Sequence, residues 1–92
     1  MKRDKGAMKN ALEALHMSSL PSMPAADIHD RADPNGVLDY HEFVHHLLLL
    51  QDSGFTSNIA GDVWRLTNDG HELVETAEAE GSTMEIWKKL GV

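Results

Sequence analysis

The sequence predicts an α+β fold that is mainly helical, and three observations carry this prediction. Two long stretches, 4–17 and 37–53, repeat apolar residues at three- and four-residue spacing, which is typical of amphipathic helices. A third stretch, 55–67, divides into two short runs around a Gly-Asp turn, which suggests a β-hairpin. The composition of the 92 residues, 41% hydrophobic and 25% charged, indicates one small domain over residues 1–92.

The first predicted helix covers residues 4–17. Asp4 can cap its N-terminus, and the apolar residues that follow share one side: Ala7, Met8, Ala11, Leu12 and Leu15. The segment "SSLPSMP" at 18–24 is predicted as a loop because it contains two prolines in seven residues. The segment "AADIHD" at 25–30 suggests a short helical turn.

The second long helix is expected to begin near Asp33 and Pro34, which resemble an N-cap and a first helical position. The helical pattern then runs from Val37 to Ser53, and Gly54 is well placed to end it. The predicted apolar stripe consists of Tyr40, Phe43, Val44, Leu47, Leu48 and Leu50. The predicted outer, partner-binding face consists of His41, Glu42, His45, Leu49 and Asp52.

The C-terminal third predicts a hairpin and further helices. Strands are expected at 55–59 and 63–67, joined by a turn at "AGD". Thr67 or Asn68 can then cap a helix whose core face consists of Leu66, Leu73, Val74 and Ala77. A last helical turn is expected after the capping-box pair Ser82 and Glu85, with Ile86, Trp87 and Leu90 docking it.

This order of elements predicts a winged helix-turn-helix domain with a short β-hairpin wing and C-terminal helices. The third predicted helical element, 37–53, takes the position of a recognition helix. Both tryptophans, Trp64 and Trp87, are expected to be core anchors.

Three stretches of the chain carry a family resemblance. They are the opening "MKRD", the helix end "HHLLLLQDSGF" at 45–55, and "RLTNDGHELVETAEAEGSTMEIWKK" at 65–89. In this order they resemble an uncharacterised family common in phages and prophages, domain-of-unknown-function family 2513. The resemblance implies a winged-helix architecture and a phage or mobile-element setting in a bacterial host cell, and it implies no catalytic residues.

Charge is unevenly distributed along the chain, whose net charge is −7. Residues 32–64 contain no Lys or Arg but five acidic residues: Asp33, Asp39, Glu42, Asp52 and Asp62. Phosphate binding needs clustered cations, so the charge disfavours DNA, and an acidic surface suits a basic partner. We find no apolar run long enough to span a membrane and no secretory signal, so we expect no membrane contact and a cytoplasmic location.

Residues 31–42, "RADPNGVLDYHE", resemble a calcium-binding EF-hand loop. With Gly36 at its central position, five ligand positions fall on Asp33, Asn35, the Val37 carbonyl, Asp39 and Glu42. Arg31, however, occupies the first position, where an Asp should bind the ion. Pro21 and Pro24 are also expected to interrupt the incoming helix, and no second loop is present. Calcium binding is therefore a remote alternative.

Residues 41–45, "HEFVH", match the H-E-x-x-H pattern of zinc hydrolases. His41 and His45 would be the ligands and Glu42 the residue that activates water, with His71 or a nearby Glu as a third ligand. A chain of 92 residues leaves little room for a substrate cleft, and six histidines make an accidental match easy. A small zinc hydrolase is therefore a remote alternative, and we expect no enzyme and no cofactor. If any metal binds, His41 and His45 are the candidates.

Two functions follow from these patterns. The first is a protein-binding winged helix whose acidic, His-rich outer face docks on a basic host or phage protein, for example a DNA-mimicking, anti-CRISPR-like inhibitor of a host nucleic-acid-binding protein. The second is a sequence-specific DNA-binding transcriptional regulator, which the fold suggests and the charge opposes. A homodimer is compatible with either function.

Overall fold

The computed structural model of the chain describes residues 4–79. It is an α+β structure with four helices and a small antiparallel sheet in this range. The elements are α1 (Lys5–Met17), β1 (Met23–Pro24), α2 (Ala25–Ala32), α3 (Tyr40–Asp52), β2 (Thr56–Ala60), β3 (Val63–Leu66) and α4 (Asn68–Ala79). The predicted last helical turn around Trp87 lies outside the described residues.

Helix α1 confirms the prediction for residues 4–17. The side chain of Asp4 accepts a hydrogen bond of 2.9 Å from the backbone N–H of Ala7, so that one of the free donors at the helix N-terminus is satisfied. The buried face of the helix consists of Met8, Ala11, Leu12 and Leu15. The three- and four-residue spacing of these side chains is what packs α1 against the core.

Helix α2 is longer than the single turn expected from "AADIHD". It has eight residues and buries Ala25, Ile28 and Ala32. The prolines at 21 and 24 do not prevent this helix, because Pro24 stands at its N-cap, where no intrahelical N–H is needed. The expectation that these prolines interrupt the incoming helix was therefore wrong.

The predicted start of α3 at Asp33 and Pro34 was also wrong. Asp33 closes α2, since its backbone N–H bonds to the carbonyl of His29 at 2.8 Å. The α3 helix begins instead at Tyr40, where Asp39 is the N-cap and its Oδ1 accepts the N–H of Glu42 at 2.8 Å. Both aspartates can cap a helix, and an Asp-Pro pair also initiates turns. The seven residues 33–39 form the connection between the two helices.

The hairpin agrees with its predicted position. Strands β2 and β3 pair antiparallel through Thr56↔Leu66 and Ser57↔Arg65, and an irregularity between Asn58 and Ala60 leaves Ile59 in a bulge. Gly61 has a φ of 55°, a left-handed conformation that favours glycine, at the turn between the two strands.

A third strand was not expected. β1 pairs antiparallel with the other edge of β3 through Met23↔Trp64, so the sheet order is β1-β3-β2. This strand lies in the segment predicted as a loop. Its second residue is Pro24, which an edge strand tolerates because it needs no N–H on its outer side.

The core lies between the sheet and the helices and draws on every helix of the described range. It includes Leu12 from α1, Ile28 from α2, Phe43 from α3, Trp64 from β3 and Val74 from α4. Trp64, predicted as a core anchor, is 3% exposed. No helix within residues 4–79 has the length and apolar character that crossing a membrane requires.

Candidate functional site

The inner face of α3 is fixed by packing. Its four buried side chains are Phe43, His46, Leu47 and Leu50, all between 0% and 1% exposed. They follow the i, i+3, i+4, i+7 spacing of a single helix face. Three of them are hydrophobic, as expected, and the fourth is a histidine that no sequence pattern marked.

His46 is tolerated in the core because both of its ring nitrogens have partners. Nδ1 lies 2.7 Å from the carbonyl oxygen of Glu42, and Nε2 accepts the backbone N–H of Asp4 at 2.8 Å. A neutral imidazole with its proton on Nδ1 satisfies both contacts. The ring therefore ties the N-terminal cap of α1 to the first turn of α3, across 42 positions of sequence. Buried polar groups that are fully bonded in this way are compatible with a core.

The opposite face of α3 is open to solvent. We define the outer face of α3 as Tyr40, His41, His45, Leu48 and Asp52, all of which are exposed. Tyr40 is 36% and Leu48 is 43% exposed. The predicted exposure is thus confirmed at His41, His45 and Asp52, which share this side of the helix.

The predicted exposure was wrong at Leu49, which is half-buried and packs against the hydrophobic core. The exposed leucine is Leu48, which the sequence placed in the apolar stripe together with Tyr40. Glu42 lies at the edge of the outer face and is half-buried. Because His46 takes an inward position, the helix is rotated relative to the prediction, and Leu48 turns outward in place of Leu49.

The surroundings of the outer face are acidic. Asp39 is exposed beside the helix N-terminus, and Asp62 is exposed at the turn of the hairpin. The nearest basic residues in sequence are Arg31 and Arg65, which stand on either side of a 33-residue interval, 32–64, that has no Lys or Arg. Cations that would follow a phosphate backbone are therefore missing from α3 and from the hairpin up to Trp64.

The connection before α3 uses its acidic groups as internal acceptors. The carboxylate of Asp33 accepts the backbone N–H of Leu38 at 2.8 Å and that of Val37 at 2.9 Å, and it lies 3.3 Å from Nε2 of His29. These hydrogen bonds lower the pKa of Asp33 below its ordinary value, and the bond from the Leu38 N–H contributes most. Asp39 caps α3 in the same manner. Two of the five candidate calcium ligands thus have structural roles in the loop.

Within residues 4–79, the H-E-x-x-H histidines have no third ligand beside them. His41 and His45 lie one turn apart on the outer face of α3. His71, the candidate third ligand, lies on α4 with its Nδ1 3.0 Å from Nδ1 of His16 on α1. Among residues 4–79, no group of three or more His, Cys, Asp or Glu side chains is arranged to hold a metal ion.

The comparisons with known proteins add no assignment to this geometry. No protein-family model matches the chain, and the searches of curated proteins and of solved structures give no significant match either.

Proposed function

We propose that the chain is a non-enzymatic, acidic winged helix-turn-helix module that binds a basic surface of another protein through the outer face of α3. The observation that carries the proposal is the composition of that face. It presents Tyr40, two histidines, an exposed leucine and Asp52, and the chain from residue 32 to residue 64 supplies no Lys or Arg.

The topology supports the winged-helix part of the proposal. Helices α2 and α3 follow each other directly, a two-stranded hairpin comes next, and the short β1 strand closes the sheet beside β3. Apart from the length of the connection between α2 and α3, this order of elements is the one expected of a helix-turn-helix with a wing. The connection of seven residues between α2 and α3 is longer than the three to four residues typical of a helix-turn-helix.

The partner proposed is a protein of positive surface charge. An acidic patch speeds encounter with a basic partner and suppresses binding to acidic ones. Leu48 and Tyr40 add apolar area at the centre and one end of the outer face, which is the composition of an interface core surrounded by charge. The resemblance to the phage family favours a host nucleic-acid-binding protein as the target, with the chain acting as a DNA-mimicking inhibitor in the bacterial cytoplasm.

The alternative is a DNA-binding transcriptional regulator, and the topology is the observation that favours it. In that function α3 would enter the major groove. The side chains presented there would be His41, His45, Leu48 and Asp52. Asp52 would be repelled by phosphate, and no cation of α3 would offset it.

Affinity capture from a bacterial lysate tests the two functions against each other. The tagged protein is used with and without nuclease treatment, and any captured protein is then purified and titrated in a calorimeter. We expect capture to survive nuclease. The double variant Leu48→Ala with Asp52→Lys should bind the purified partner at least about tenfold more weakly, equivalent to about 1.4 kcal/mol.

The matched control is Glu78→Lys, which makes the same charge reversal at an exposed position of α4. It should leave the affinity within about twofold if the outer face of α3 is the contact. In parallel, the pure protein is mixed with a pool of random duplex DNA. Recovery of one specific sequence, together with loss of protein capture after nuclease, would establish the regulator and overturn the proposed function.

A further inference from the structure

Two histidines from distant parts of the sequence meet between α1 and α4. Nδ1 of His16 and Nδ1 of His71 are 3.0 Å apart, and 55 positions separate the residues. Their ring centroids are 5.2 Å apart and the ring planes are inclined by 59°. We propose that this pair binds a divalent transition-metal ion, Cu²⁺ or Ni²⁺, with both Nδ1 atoms as ligands and water in the other coordination positions. The proposal is independent of what the outer face of α3 binds.

The separation of the two nitrogens is compatible with a shared metal ion. Imidazole nitrogens bind first-row metals at about 2.0–2.1 Å. Two such bonds at a right angle place the nitrogens about 2.9 Å apart, whereas a tetrahedral angle places them about 3.3 Å apart. The 3.0 Å of the hydrogen-bonded, metal-free pair lies within about 0.3 Å of both values, so both nitrogens can reach one ion after a small adjustment of the rings. Cu²⁺ stands at the top of the affinity order of divalent first-row metals, and imidazole also suits Ni²⁺.

The protons can rearrange without any further reactant. In the metal-free pair, one neutral ring carries its proton on Nδ1 and donates it to the lone pair on Nδ1 of the other ring. On metal binding the donor ring exchanges its proton from Nδ1 to Nε2 through solvent. Both Nδ1 lone pairs then face the ion. Both side chains are half-buried, so water and a metal ion have access to them.

The surrounding charge favours a cation. On the described part of α4 the acidic residues are Asp69, Glu72, Glu75 and Glu78, and the segment 66–79 contains no Lys or Arg. On α1, Glu13 stands three residues before His16 and forms an ion pair of 2.7 Å with Lys9, so this neighbouring cation is already matched by an anion. The excess of negative charge on α4 raises the local concentration of cations at the pair.

The other four histidines define the controls. His46 is in the core with both nitrogens bonded, and His29 is bonded through Nε2 to the carbonyl of Leu38 at 2.9 Å. His41 and His45 are exposed one turn apart, so they form the competing metal pair. The test therefore uses the double variant His41→Gln with His45→Gln as the starting protein.

Calorimetric titration of that starting protein with CuCl₂ and NiCl₂ should give one site per chain. Adding either His16→Gln or His71→Gln should weaken binding at least about tenfold, since one of two protein ligands is lost. The metal should also raise the melting temperature of the starting protein, because the folded state alone brings the two rings together. This rise should disappear in the His71→Gln variant.

NMR on the same starting protein gives a readout that does not depend on how the variants at His16 and His71 fold. Substoichiometric Cu²⁺ should broaden the ring signals of His16 and His71 before those of His29 and His46. Absence of metal binding by the starting protein overturns the proposal. So does an unchanged affinity after His16→Gln or His71→Gln, or broadening that begins at His29 or His46.

Discussion

The two faces of α3 differ in what determines their residues, and two adjacent histidines show the difference. His46 is 1% exposed and has a partner at each ring nitrogen. His45 is exposed, and its contact with its neighbour is an edge-on approach of the rings at 6.1 Å. Residues of the inner face are constrained by volume and by hydrogen bonds, whereas those of the outer face can vary without loss of the fold. The outer face can therefore carry the proposed binding function without cost to the fold, since stability imposes few requirements there.

The largest expected change in the free energy of unfolding comes from substituting Phe43, the largest fully buried side chain of the inner face. Replacing it with Ala removes a ring from the core and leaves a cavity, so we expect Phe43→Ala to lower the free energy of unfolding by about 3–5 kcal/mol. Urea denaturation followed by circular dichroism measures this change. The matched variant His41→Ala, two positions earlier on the outer face, should stay within about 0.5 kcal/mol of the wild type.

The rotation of α3 about its own axis shows how much of the candidate site can be predicted from the sequence. The helix, its end at Gly54 and the exposure of His41, His45 and Asp52 were predictable from periodicity and capping. The orientation of Leu47–Leu50 was not, since four consecutive leucines cover every direction of a helix and give no preferred side. The decisive residue is His46, whose inward-facing ring accepts the backbone N–H of Asp4, a contact that only the folded chain creates.

His46 is the second test of the comparison. In His46→Ala the core loses the ring, and the backbone N–H of Asp4 loses its acceptor. We expect a loss of about 2–3 kcal/mol in the free energy of unfolding, from the cavity and the unpaired donor together. His45→Ala is the matched control, with an expected change within about 0.5 kcal/mol. Equal effects of the two substitutions in thermal or urea unfolding would show that the faces of α3 are assigned incorrectly.

Leu48 and Leu49 test the corrected rotation of the helix directly. Leu49 packs against the core and is half-buried, whereas Leu48 is 43% exposed. We expect Leu49→Ala to lower the free energy of unfolding by about 1–2 kcal/mol, since about half of the side chain loses its contacts. Leu48→Ala should cost less than about 0.5–1 kcal/mol. The reverse order in urea titrations would restore the face first predicted from the sequence.

The connection before α3 was misread because an Asp-Pro pair has two structural meanings. It can begin a helix, and it can also begin a turn. Here Asp33 begins a turn, since its carboxylate accepts the backbone N–H groups of Val37 and Leu38 in the following loop. The nearby Asp39 then caps α3. Choosing between two aspartates six positions apart requires the path of the loop, which local sequence does not specify.

Substituting Asp33 should have the smallest effect on stability, and that effect should depend on pH. Its pKa is lowered in the folded chain from an ordinary value of 3.8, chiefly by the hydrogen bond from the Leu38 N–H. Because the folded pKa lies below the unfolded one, the carboxylate adds stability that is fully present above pH ~4 and is lost as the pH falls through the folded pKa. Acid titration of the melting temperature should therefore show a decline below pH ~4 to which Asp33 contributes.

The control for this decline is Asp33→Asn, whose neutral amide keeps the shape of the side chain but does not titrate. Since its oxygen can still accept one of the two backbone N–H groups, the variant should remain folded at neutral pH with a lower melting temperature than the wild type. Below the folded pKa of Asp33 the melting temperatures of the two proteins should converge, because the wild-type carboxyl is then protonated and neutral like the amide. A constant difference between the two melting temperatures across the acid range would show that Asp33 does not stabilise the connection before α3 through its charge.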